Sequence, residues 1–228
     1  MKDRLIFALD VPDHAKAKEL AAKLRGRVGM FKIGLELFTS LGPRIVQDIQ
    51  QAGVPVFLDL KLHDIPKTVE RAARIISGLG VRFTTVHASG GREMLQAAVE
   101  GVSGKVGILA VTVLTSTGQD EARAMGIDSI SDLVLQRARM AKEAGCAGVV
   151  CSGQEVKRVK ESCGAGLLAV CPGVRPAGGE KGDQKRVVTP SMALSDGADY
   201  IVVGRPIRDA VDPAEAARRI VAEMESAG

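Results

Sequence analysis

One unit recurs along this chain: a short run of Val, Ile and Leu, a polar turn, a segment of helical period, a glycine, and then the next apolar run. The runs occupy 4–10, 30–36, 56–62, 82–88, 107–114, 148–153, 167–174 and 200–205. Their unbroken apolar character fits parallel strands covered on both faces, because a strand exposed on one side alternates apolar with polar residues. Eight such units, with no stretch left over for a second fold unit, predict an α/β chain closed as a (β/α)8 TIM barrel, one domain over 1–228. An open dinucleotide-binding sheet calls for Gly-x-Gly-x-x-Gly after the first strand. Asp10-Val11-Pro12-Asp13-His14 stands there instead.

The linking segments carry helix signals. Residues 13–26 place Ala15, Leu20, Ala21 and Leu24 largely on one face, and residues 68–79 do the same with Val69, Ala72, Ala73, Ile76 and Leu79. Pro66, Pro190 and Pro213 suit first helical turns. Gly26, Gly53, Gly80, Gly145 and Gly197 each precede a strand, as left-handed helix caps do. Two links are long, 115–129 and 175–189, and both follow C-terminal strand ends, where barrels keep their active sites. The glycine-rich stretch 177–183 in the second reads as a lid.

Bulk properties narrow the function. A net charge of +4, spread along the sequence, is too mild for a nucleic-acid binder, and five Phe with one Tyr supply no stacking platform. The apolar run 5–9 is too short for a secretion signal, and no run is long enough to span a membrane. Cys146, Cys151, Cys163 and Cys171 form no Cys-x-x-Cys and have no His at ligand spacing, so they are expected as reduced, buried thiols. The expectation is a cytoplasmic enzyme with no metal site.

The third run, Val56-Phe57-Leu58-Asp59-Leu60-Lys61-Leu62, carries the chemistry. Side chains alternate along a strand, so Asp59 and Lys61 share one face while Leu58, Leu60 and Leu62 share the other. The leucines suit the helix layer, which turns the charged pair into the barrel. Lys32 points inward from the second run, together with Gly34, and Asp10 ends the first. Barrel interiors are ordinarily filled with branched apolar side chains. A buried charge stripped of its partner costs about 3–5 kcal/mol. Four charges converging at a barrel mouth therefore point to use. A lysine between carboxylates keeps its proton and can deliver it to carbon, or stabilise negative charge beside it. A carboxylate placed against a bound anion repels it until that group leaves as a neutral molecule. The combination suits decarboxylation. Gly204 and Arg205, after the eighth run, lie where barrels bind phosphate.

These residues carry a family resemblance. Phe7-Ala8-Leu9-Asp10, Phe31-Lys32, the ten residues from Asp59 to Thr68, Val86-His87-Ala88-Ser89-Gly90-Gly91, Val111 to Ser116, Pro172-Gly173-Val174-Arg175, Gly182-Asp183-Gln184 and Val203-Gly204-Arg205 closely resemble the orotidine 5′-phosphate decarboxylase family over essentially the whole chain. Asp-x-Lys-x-x-Asp alone is shared with a wider group of phosphosugar enzymes; the version continuing into Ile65-Pro66-x-Thr68 is far more specific. The resemblance implies that Asp10 and Lys32 hold ribose hydroxyls, that Asp59 sits beside the substrate carboxylate, and that Lys61 stabilises and protonates the C6 carbanion. Leu60, Leu62, His63, Pro66 and Lys67 belong to the same substrate-binding run. Asp64, with Ile65 and Thr68, is implied to reach a neighbouring subunit's site, making the active unit a homodimer. Thr115 and Ser116 are implied to contact the pyrimidine, and Arg175, Gln184, Gly204 and Arg205 the phosphate, with the 175–186 loop closing over it. No cofactor and no metal is implied.

Leu62 stands where the family often has Phe, and Lys67 where it often has Asn. His63 is expected opposite Lys61 as a hydrogen-bonded structural residue, His87 as a structural or ligand-touching one, and His14 at the surface. Two rival readings are a Mg²⁺-dependent phosphosugar decarboxylase or aldolase on the same barrel, and a non-catalytic nucleotide-binding scaffold. The first requires Mg²⁺; the second tolerates Lys61→Ala.

Overall fold

In a computed structural model of the chain, residues 1–177 and 186–226 are described. The elements alternate as the apolar runs imply: β1 (Leu5–Ala8), α1 (His14–Leu24), β2 (Met30–Ile33), α2 (Leu35–Leu41), α3 (Arg44–Gln50), β3 (Val56–Leu62), α4 (Pro66–Ser77), β4 (Phe83–His87), α5 (Gly91–Val102) and β5 (Gly107–Val111). They continue with α6 (Gln119–Ala124), α7 (Ile130–Glu143), β6 (Gly148–Val150), α8 (Val156–Cys163), β7 (Leu168–Cys171), α9 (Pro190–Ser195), β8 (Tyr200–Val203), α10 (Arg205–Arg208) and α11 (Pro213–Glu225). The eight strands pair in parallel and in order, and β8 closes on β1. Among the described residues no helix is long and apolar enough to cross a membrane.

The alternation of each strand divides the interior in two. Leu5, Phe7, Phe31, Ile33, Leu58, Ile108 and Val149 face outward into a continuous apolar layer under the helices. Ile6, Met30, Phe57, Phe83, Leu109, Val170 and Val202 face inward and fill the barrel floor. Phe57 and Phe83 meet edge to face there, with ring centroids 6.3 Å apart. Each such buried side chain contributes about 1.5–3 kcal/mol of apolar burial. The packed floor lies below a cavity that opens at the C-terminal mouth.

The expected turn glycines take the left-handed region, with φ 71° at Gly53 and 83° at Gly145. Several boundaries differ from the expectation. The second run stops at Ile33, because Gly34 caps α2, so Leu35 and Glu36 are helical. The eighth stops at Val203, because Gly204 caps α10. On α1 the buried face is Ala17, Leu20, Ala21 and Leu24, the i, i+3, i+4, i+7 set, and Ala15 is exposed. On α4 Val69, Ala73 and Ile76 are buried while Ala72 and Leu79 flank them half-buried. The 115–129 link is not a plain loop, since it contains α6. The ends of the 175–189 link are tied together: Val174 bridges Val188, and the Arg175 amide donates to the Val188 carbonyl at 3.0 Å. The lid reading of 177–183 falls almost wholly on residues outside those described.

The four cysteines are free and buried. Burial pushes the Cys146 thiol up to about 12, which suits a packing role.

Candidate active site

The site starts from an irregularity in β3. Its register against β4 runs from Leu58↔Thr84 to Leu62↔Val86, four steps on one strand against two on the other. The two extra residues bulge the strand at Asp59-Leu60-Lys61. Lys61 sits in the left-handed region at φ 51°, a conformation that costs a non-glycine residue on the order of 1 kcal/mol or more. The strand keeps it because the Lys61 amide donates to Thr85 Oγ1 at 2.8 Å, and the same hydroxyl donates to Asp59 Oδ1 at 2.9 Å. An even number of extra residues preserves the faces. Leu58, Leu60 and Leu62 pack outward as expected, and Asp59 and Lys61 both reach the mouth.

A chain of ion pairs follows. Lys61 Nζ lies 2.8 Å from Asp59 Oδ2, Lys32 Nζ lies 3.4 Å from the same oxygen, and Lys32 Nζ donates to Asp10 Oδ1 at 3.1 Å. Asp59 and Lys32 are 8% and 9% exposed, so these are buried charges held by one another. Burial alone raises the Asp59 carboxyl, but the Lys32 and Lys61 ammonium groups outweigh it and hold the acid below its ordinary value. Burial likewise opposes the charged form of Lys32, and Asp59 and Asp10 outweigh it and raise the amine. Both groups stay ionised at neutral pH.

The array opens into a cavity of about 410 Å³ at the C-terminal ends of the strands, within the range that encloses a small ligand. Asp10, Lys32, Asp59 and Lys61 line one part of it. Thr115 and Ser116 line it from the loop after β5, Arg175 from the loop after β7, and Gly204 and Arg205 from the end of β8. A Cβ on Gly204 would stand 3.5 Å from Ala8 Cβ and 3.7 Å from Asp10 Oδ2, so this backbone lies against the wall that holds Asp10. Among the described residues, five cationic side chains (Lys32, Lys61, Arg175, Arg205, Arg208) face two carboxylates (Asp10, Asp59) across the lining, an excess that favours an anionic ligand.

Other expected residues stay outside. His63, Asp64, Ile65, Pro66, Lys67 and Thr68 are exposed on the barrel rim, and none lines the cavity of its own chain. Asp64 Oδ1 accepts from the Ile65 amide at 2.7 Å and makes no pair with the lysines. Lys67 Nζ lies 2.6 Å from Glu70 Oε2, one turn along α4. His63 was expected as a hydrogen-bonded structural residue; among the described residues its side chain makes no hydrogen bond. It has left the strand, and its ring meets His87 with centroids 5.6 Å apart. His87 is half-buried outside the cavity lining; burial, then His63 and Lys61, hold its imidazole below the usual value. His14 is at the surface, as expected, with Nε2 2.9 Å from Asp48 Oδ2. Gln184 lies outside the described residues.

Three residues of the site escape a reading of motifs. Thr85 shares the inward phase of Phe83 and His87, so alternation alone places it beside Asp59. Arg208 lines the cavity and donates to the Asp10 carbonyl at 2.9 Å; its i+3 spacing from Arg205 is the available signal. Arg186, far from the motif it supports, is buried against Glu155. Among the described residues no three His, Cys, Asp or Glu side chains gather as a metal would require.

A family model described as orotidine 5′-phosphate decarboxylase / HUMPS family matches residues 3–220. An orotidine 5′-phosphate decarboxylase of Desulfosudis oleivorans is 52% identical, over 99% of this chain and 94% of the relative. That of Anaeromyxobacter dehalogenans is 52% identical, over 97% and 98%. The crystal structure of orotidine 5′-phosphate decarboxylase from Lactobacillus acidophilus superposes with a TM-score of 0.85 at 39% identity, covering 96% of this chain and 98% of that one. The match extends over β1–β8 and the whole charged array, so the chain belongs to the orotidine 5′-phosphate decarboxylase / HUMPS family.

Proposed function

We propose that this chain decarboxylates orotidine 5′-phosphate to UMP and CO₂, the last step of de novo pyrimidine nucleotide synthesis, in the cytoplasm. One observation carries the reading: a lysine bound to a buried carboxylate, Lys61 to Asp59, shares a cavity with three arginines from the β7 and β8 side of the rim. In this reading Arg175, Gln184, Gly204 and Arg205 take the phosphate, and Arg208 adds charge there. Asp10 and Lys32 take the ribose hydroxyls, and Thr115 and Ser116 the base.

The substrate carboxylate then lies against Asp59, whose ionised form repels it. The bond from C6 to the carboxyl carbon breaks, the electron pair stays on C6, and CO₂ departs neutral, which removes the repulsion. The Lys61 ammonium stabilises the pair on C6 and then gives it a proton from Nζ, recovering one from solvent afterwards. No metal and no cofactor enters these steps. Both oxygens of Asp59 already have partners, Oδ2 in the two lysines and Oδ1 in Thr85, which leaves little for a divalent cation and disfavours the Mg²⁺-dependent phosphosugar reading. The direct test is UMP formed one for one with CO₂ when the purified chain receives orotidine 5′-phosphate. Turnover of a keto-phosphosugar instead, dependent on Mg²⁺, would overturn the reading.

We assign Asp64, Ile65 and Thr68, on the rim segment that follows β3, to the site of a second subunit. Support comes from the segment's exposure: Ile65 leaves 67% of its surface uncovered beside the site's own catalytic strand. In a symmetric dimer Asp64, Ile65 and Thr68 would complete the neighbouring mouth. Asp64→Ala and Lys61→Ala chains, each inactive alone, should recover about a quarter of wild-type activity after mixing and exchange, since half the dimers then hold one intact site of two. No recovery despite demonstrated exchange would contradict shared sites.

A further inference from the structure

Arg186, on the β7 link, stands outside the cavity lining and ties that link to the two that follow β5 and β6. Its Nη1 donates to Glu155 Oε1 at 2.7 Å, on the link that follows β6. Its Nη2 donates to the carbonyls of Val113 at 3.2 Å and Leu114 at 3.0 Å, on the link that follows β5. Its own carbonyl accepts from the fully buried Ser152 hydroxyl at 3.2 Å. Backbone packing tightens the same junction, because a Cβ on Gly153 would stand 2.2 Å from Val188 Cγ2. The guanidinium therefore pins the end of the β7 link to the ends of β5 and β6. Thr115 and Ser116 follow directly on the two carbonyls it holds, and both line the cavity.

The pair is a poor device for stability alone. Arg186 and Glu155 are 8% and 5% exposed, and Arg186 Nε and Glu155 Oε2 are buried with no hydrogen-bond partner among the described residues. Burial pushes the Glu155 carboxyl up despite the arginine beside it. Replacing a buried ion pair by apolar groups of similar volume is often neutral or stabilising, so fold stability gives this pair little reason to exist. What it supplies is a fixed geometry for two main-chain carbonyls.

We propose that Arg186, oriented by Glu155, is a positioning residue that sets Thr115 and Ser116 against the pyrimidine base, coupling the base-recognition loop to the link bearing Arg175. The proposal rests on the decarboxylase reading for the identity of the base. It is tested by titrating Arg186→Met and Glu155→Gln chains with UMP, which offers base and phosphate, and with ribose 5-phosphate, which lacks the base. Arg186→Met should weaken UMP binding about tenfold and ribose 5-phosphate binding less than about twofold, the size of coupling seen between contacting groups. The cost of Ser116→Ala on UMP binding should shrink to a small fraction of its wild-type size in the Arg186→Met background. Glu155→Gln should shift both readouts the same way by less, and it carries the comparison if Arg186→Met does not fold. Equal weakening for the two ligands, or an unchanged Ser116→Ala effect, would overturn the proposal. A wild-type chain that binds UMP selectively but releases no CO₂ from orotidine 5′-phosphate contradicts the decarboxylase reading and leaves this comparison decisive on its own.

Discussion

Lys61→Ala should abolish decarboxylation while leaving the chain folded and able to bind nucleotide. The expected loss in kcat is at least about 10³-fold, since in the proposed mechanism one substitution removes both a positioned acid and the charge that meets the developing carbanion. Binding should survive because the proposed phosphate anchors come from other strands, Arg175 after β7 and Arg205 after β8, both in the cavity lining. The fold should survive because Asp59 keeps Lys32 and Thr85 when Lys61 goes. Steady-state rates beside UMP titration separate these outcomes. Turnover within tenfold of wild type would remove Lys61 from the mechanism.

Asp59→Asn should damage stability and activity together. It strips a counter-ion from Lys32, a buried ammonium whose one remaining carboxylate is Asp10, 45% exposed at its side chain. Breaking a buried pair costs about 3–5 kcal/mol, and the lower end applies here because Asp10 remains. For a chain of this length that lowers the Tm by on the order of 10 °C. The pH dependence has a definite sign. Asp59 is depressed from 3.8, so its contribution is complete above that value and fades as pH falls through the lower folded value. Lys32 is raised from 10.5, so its contribution is complete below that value and fades as pH rises through the higher folded one. The pair therefore stabilises in full between 3.8 and 10.5, and the wild-type advantage over Asp59→Asn should be flat across that window and narrow outside it. Activity should drop by at least about 10²-fold, since in the proposed mechanism the substrate carboxylate loses its repulsion and Lys61 loses its anchor. Thermal melts and rates across pH check both; equal stability of the two chains at pH 7 would contradict the burial account.

The barrel was legible because the strands are largely apolar on both faces and the units end in glycine, two signals that reinforce one another. The Lys32–Asp59–Lys61 array was legible for a related reason: charges at inward positions of an otherwise apolar strand have few structural uses. The bulge at Asp59-Leu60-Lys61 was not. Two extra residues leave the alternation of Leu58, Leu60 and Leu62 intact, so the pattern reads the same with or without them. The second and eighth strands were set too long because Gly34 and Gly204 cap α2 and α10, and a lone glycine does not by itself mark a strand end. Glu155 and Arg186 lie 31 residues apart, and nothing local marks two charged residues in links as a buried pair. Asp64 was read by resemblance alone. One chain by itself leaves it on the rim, capping Ile65, and its proposed work belongs to a second copy.

The most direct measurement is the rate of CO₂ release from orotidine 5′-phosphate by the wild-type chain, in metal-free buffer with excess chelator. A lysine–carboxylate array that completes the reaction by itself predicts an undiminished rate, with UMP formed in equal amount. Activity that vanishes with the chelator and returns with Mg²⁺ would contradict it.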